Sequence, residues 1–204
     1  MASLSFSVLL VAFAFAFTAA HAADPDITSD FIVPSGVSSV DANFFTFKGF
    51  RQSLSGSPSS APLKVTKASE AEFPALAGQS VSYAFLEFGP GAINPPHTHP
   101  RSAELLMVIQ GALSVGLVDS SGKLFTQQLE AGDVFVFPKG LVHFQVNKDA
   151  KNLAIAVSAF GSANPGTVSL PKAIFGSGID GEVLAASFKT DAATASKLVS
   201  ANMG

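Results

Sequence analysis

Cysteine and tryptophan are absent from this 204-residue chain, and tyrosine occurs once. Without a thiol the chain can form neither a disulfide framework nor a thiolate metal site, and it has no cysteine nucleophile. No Asn-x-Ser/Thr sequon occurs, so N-glycosylation is not expected. Charge is sparse as well: Asp, Glu, Lys and Arg make up 13% of residues and the net charge is −3. That balance gives no electrostatic reason to bind nucleic acid or an anionic membrane. Stability must therefore come from burial. The 19 phenylalanines point to a Phe-rich core.

The first 22 residues carry no Asp, Glu, Lys or Arg, and Leu9 to Phe17 form an apolar run. The segment ends Ala20-His21-Ala22, the small-x-small pattern of a secretory signal peptide. The run is short for the roughly 17–25 residues a membrane span needs, and no basic flank follows it. Residues 1–22 are read as a leader, leaving a soluble secreted chain with no membrane attachment after cleavage.

Residues 23–60 are rich in Ser, Gly and Pro and are read as an N-terminal arm. Within it, Phe44, Phe45 and Phe47 form an apolar patch suited to docking the arm on the main body or on a neighbouring subunit. Residues 61–165 alternate short β-type runs with turn signals, as in a sandwich or barrel. Strands are predicted near Leu63–Ala68, Val81–Phe88, Ala103–Gln110, Leu113–Val118, Leu124–Leu129, Val134–Phe137, Val142–Val146 and Leu153–Ala159. Met107, Phe135, Phe137 and Phe144 are assigned to the core. Residues 166–204 form a C-terminal extension with two short helices, Glu182–Phe188 and Ala192–Ala201, the second capped by Asp191. The fold class is all-β with C-terminal helices.

Only four histidines occur, and three fall within two short segments. One runs from Gly91 through Asn94, His97, His99 and Glu104 to Gly111; the other from Gly132 through Pro138, Gly140 and His143 to Asn147. Alternate strand residues share a face, so His97 and His99 would point the same way. Glu104 re-enters the same space after a bend at Pro100, and His143 arrives from a later strand. Three imidazoles and one carboxylate suit a divalent first-row ion. Four protein ligands leave an octahedral ion two open positions, which favours manganese first and iron second over a closed zinc site. Taken singly, each residue has a plainer reading. His-x-His occurs by chance, a lone Glu is usually solvated, and Asn94 or Asn147 can serve a turn.

The two segments fit the patterns Gly-x5-His-x-His-x4-Glu-x6-Gly and Gly-x5-Pro-x-Gly-x2-His-x3-Asn without a gap. With Arg101, Gly111 and the Phe-Pro-Lys-Gly-Leu-Val-His run ending at His143, the chain resembles plant germins and germin-like proteins of the cupin superfamily. The resemblance implies a cupin jelly-roll β-barrel holding one manganese per subunit on His97, His99, Glu104 and His143. It implies a homohexamer, a trimer of dimers locked by the C-terminal helices, in the extracellular matrix or apoplast with possible cell-wall association. Family activities include superoxide dismutation and oxalate oxidation, so superoxide or a small molecule would meet the metal.

Two departures follow from the resemblance. Germins usually carry an N-terminal disulfide, and Ile32 stands where its first cysteine is expected. Family oxalate oxidases hold substrate with two asparagines. Asn94 matches one as a substrate-binding residue, but Ala84 occupies the place of the other and cannot donate a hydrogen bond. Oxalate oxidase activity is therefore disfavoured. The competing reading is a non-catalytic extracellular metal-binding or storage protein.

Overall fold

The computed structural model describes residues 24–54 and 61–203; the leader assigned to residues 1–22 lies outside the described residues. Among the described residues, ten strands form two five-stranded antiparallel sheets. One has the order β1 (Leu63–Ala68), β2 (Ser82–Phe88), β9 (Ala154–Phe160), β4 (Glu104–Gln110), β7 (Val134–Phe137). The other has the order β10 (Val168–Ser169), β3 (Ile93–Thr98), β8 (Val142–Val146), β5 (Ala112–Val118), β6 (Leu124–Glu130). Packed face to face, the sheets form a jelly roll, as the resemblance implied and within the sandwich-or-barrel class that the turn spacing called for.

The period-two pattern decides which side chains meet between the sheets. In β4, Glu104, Leu106 and Val108 are buried while Leu105, Met107 and Ile109 face outward. Phe88, Leu106, Val108, Leu113, Val115 and Phe137 form the centre of the core, with Phe135 packed against it. Burying such side chains contributes roughly 1.5–3 kcal/mol each. Met107 departs from the expectation: it is 42% exposed, because the alternation that buries Glu104 sends it to the opposite face.

β2 is buried along nearly its whole length because a short helix, α1 (Phe50–Leu54), covers its outer face. Phe50 packs on Phe85 with ring centroids 6.0 Å apart, and Phe47 bridges Phe50 and Phe73. Farther back, Phe31, Phe44 and Phe45 cluster edge-on at about 5 Å. Through Phe47 and Phe50, aromatic contacts thus tie the arm to the body in the absence of a disulfide.

Among the elements that escape the sequence reading, β3 and one C-terminal helix have a clear physical reason. β3 contains Pro95-Pro96, which suppress a strand signal; the ladder accommodates them with a register shift between Asn94 and His97. The C-terminal extension holds three helices, not two: α2 (Leu170–Phe175), α3 (Gly181–Ser187) and α4 (Ala192–Asn202). At six residues, α2 is too short for an amphipathic period to register. Asp191 caps α4 as expected, accepting from the Thr194 amide, and Asp180 caps α3 in the same way.

Candidate metal centre

His97 and His143 are direct cross-strand partners on β3 and β8. Glu104 opens β4 in the facing sheet, so the three side chains meet between the sheets. His99 lies one residue beyond the end of β3. Its carbonyl accepts from the Gly140 amide, in a turn where Gly140 has φ +77°. All four are buried, none more than 6% exposed, and their ligand atoms lie within 4.8 Å of one another. Ligands at about 2.1 Å from a shared ion are at most about 4.2 Å apart, so a small inward closure suffices.

Backbone carbonyls fix each ring. Nδ1 of His97 lies 2.8 Å from the Pro95 oxygen, that of His143 2.9 Å from Leu141, and that of His99 2.5 Å from Gly166. Nδ1–H donates in each case and directs Nε2 into the cluster, the arrangement that orients metal-binding histidines. Oε2 of Glu104 then lies 3.0 Å from Nε2 of both His99 and His143. A neutral imidazole can donate from only one nitrogen. Acceptors therefore face both nitrogens of these two rings, and positive charge must sit between Nε2 and the carboxylate. One divalent cation meets that need and also uses the Nε2 of His97. The donor set fits a metal ion.

Electrostatics point the same way. Burial, reinforced by the His143 ring, pushes His97 down to about 4, so it stays neutral and able to ligate at neutral pH. Burial would raise Glu104, but its polar contacts with the His143 and His99 rings outweigh it and hold the carboxyl at about 2. His97 in the unfolded chain takes up a proton near pH 6.5, whereas the folded chain resists until about 4. Acid thus favours the unfolded state. The metal-free protein should lose about 3 kcal/mol of stability as pH falls from about 6.5 toward 4. Urea unfolding at pH 7 and pH 4.5 measures it; equal stability at both would contradict this ionisation.

The cluster opens onto a cavity of about 310 Å³ whose lining mixes apolar Val65, Leu86 and Phe160 with polar Asn94, Ser158 and Thr167. Ala84 lines it too. The Asn94 amide is engaged, donating to Gln145 Oε1 at 2.7 Å, and Gln145 Nε2 reaches Glu104 Oε1 at 3.4 Å. Ser158 donates to the same Oε1 at 2.5 Å. Phe137 stacks on His143 at 4.3 Å, and Phe160 meets His99 edge-on. Asn147 stays outside the cluster; its amide reaches the carbonyls of Phe88, Gly89 and Asn152.

Sequence reasoning missed Gln145, Ser158 and Gly166. Gln145 was within reach, since it shares a strand face with His143 two residues away. Ser158 carries a weaker signal, as the one polar residue of the apolar β9. Gly166 carries none.

Comparison with known proteins agrees with this architecture. Residues 57–196 match the Cupin family. The chain is 59% identical over 183 residues to germin-like protein 9-1 of Oryza sativa subsp. japonica, covering 88% of this chain and 73% of that protein. It is 57% identical over 183 residues to germin-like protein 9-3 of the same organism, covering 87% and 85% respectively. Among solved structures, an oxalate oxidase in complex with the substrate analogue glycolate superposes with a TM-score of 0.78 at 34% identity. That match covers 88% of this chain and 98% of the other.

Proposed function

The chain belongs to the germin-like proteins of the cupin superfamily, and from that premise we propose that it is a secreted, manganese-holding protein that dismutates superoxide and turns over oxalate poorly. One observation carries the reading: the complete His97, His99, Glu104, His143 set opens onto a cavity in which Ala84 stands where a second amide donor would be needed. The absence of thiolates and the mixed nitrogen and oxygen donors favour manganese over a softer ion.

Bound manganese supplies a one-electron couple. Two superoxide ions and two protons then yield dioxygen and hydrogen peroxide. The residues around the site supply the rest. Glu104 offsets the cation's charge while Ser158 and Gln145 hold its second oxygen. Lys67 at the cavity wall adds positive charge where an anion enters. Superoxide needs no elaborate recognition, so the missing donor at Ala84 does not matter for it.

Assembly as a homohexamer, a trimer of dimers, accounts for the outer face of β4 and β7. Leu105, Met107, Ile109, Val134 and Val136 form a continuous apolar surface, each between 42% and 54% exposed. Val183 and Phe188 on and after α3 are exposed as well. Such patches on a soluble chain mark association surfaces. Among the described residues no helix is long and apolar enough to cross a membrane. The extracellular matrix, with contact to wall polymers, is the proposed location.

Manganese-loaded protein should dismutate superoxide faster than free Mn²⁺ at equal metal concentration, measured by pulse radiolysis or a cytochrome reduction assay. No excess over the free ion would sink the catalytic reading. A second reading, metal holding without turnover, draws on the depth of the four ligands. It would be favoured if zinc stabilised the protein as well as manganese and no reaction were found.

A further inference from the structure

Asp24, in the N-terminal arm, is tied to a loop that positions a metal ligand. Residues 161–167 run from β9 to β10 without regular structure and form one wall of the cavity. Their Gly166 carbonyl fixes the His99 ring. Asp24 grips the beginning of this loop: one carboxylate oxygen accepts from Ser162 Oγ at 2.6 Å and the other from the Ala163 amide at 2.6 Å. The Ser162 hydroxyl in turn accepts from the Asn164 amide. Arg101 locks the far end, donating from Nε to the Asn164 carbonyl at 2.5 Å and from its terminal nitrogen to Asn164 Oδ1 at 2.6 Å. The Arg101 amide also donates to the Pro165 carbonyl. Gly166 has φ +69°, a backbone conformation that favours glycine.

We propose that Asp24 and Arg101 are positioning residues for the metal centre, holding the 161–167 strap so that Gly166 orients His99. Neither touches the cluster, and both act through the same carbonyl. The arm, which has no disulfide, thus gains a second role: through Asp24 it braces the loop that orients a ligand. The inference rests on the cation-binding reading of the cluster and is independent of the redox chemistry proposed for it. Partners that orient first ligands typically change metal affinity 10–100-fold when removed.

The test is zinc affinity, by competition with a chelating dye, for the parent, Asp24→Ala, Arg101→Lys and Gln79→Ala. Gln79 donates to the Asp30 carbonyl and ties the arm elsewhere, so its variant controls for general loosening. Asp24→Ala and Arg101→Lys should each weaken zinc binding tenfold or more, and Gln79→Ala should leave it within twofold of the parent. In zinc-loaded protein, the ¹⁵N signals of the His99 ring should shift in the first two variants only. An unchanged affinity in Asp24→Ala, or equal weakening in Gln79→Ala, overturns the proposal. Where Asp24→Ala does not fold, Arg101→Lys decides on the same criterion. A parent that binds no zinc would instead refute the metal centre itself.

Discussion

Removing the bound cation should lower the unfolding midpoint by about 10 °C. The reason lies in the cluster's own balance. Four buried ligands, one of them anionic, converge with little else to neutralise them, so the folded state binds the cation far better than the unfolded chain does. At a free metal concentration a thousandfold above Kd, that difference stabilises by about 4 kcal/mol. For a chain of this size each kcal/mol moves the midpoint by about 2–4 °C. Calorimetry at pH 7.5 with excess manganese, and again with excess chelator, measures the effect. Protein concentration must be matched, because subunit association shifts the midpoint too. A change of less than about 2 °C would mean that the four side chains hold one another without help from a cation.

Ala84→Asn should raise peroxide release from oxalate by at least tenfold. Ala84 sits on β2 opposite Ser158 of β9, and both line the cavity above Glu104. An amide at that position would face the same space as Asn94 and could donate to a carboxylate held there. A hydrogen bond to a charged partner is worth about 1.5–3 kcal/mol, which converts to roughly one to two powers of ten in rate. Superoxide dismutation should change little, since it needs no such donor. If the manganese-loaded variant releases no more peroxide than the parent, something other than the missing donor limits oxalate turnover.

How much of this was legible beforehand follows from how far apart the cooperating residues are. The strands of both sheets could be read wherever short apolar runs are bounded by turn signals, as in β4 and β9. β3 could not, because Pro95 and Pro96 mimic a loop while the register shift beside them preserves the ladder. The ligands stood out because the sequence holds one other histidine, His21, so His97, His99 and His143 have few competing explanations. Their supports did not. Ser158 reaches Glu104 across 54 positions, and Gly166 reaches His99 across 67. Contacts of that span exist only once the sheets have closed. Met107 shows the converse limit: an apolar residue in a strand can face outward as readily as into the core, and composition alone does not separate the two.

The most direct test is elemental analysis of protein purified from a secreting host, comparing the parent chain with Glu104→Ala. The expected result is close to one manganese per parent chain and almost none in the variant. A parent chain without stoichiometric first-row metal, or a variant that retains the full complement, would contradict the account.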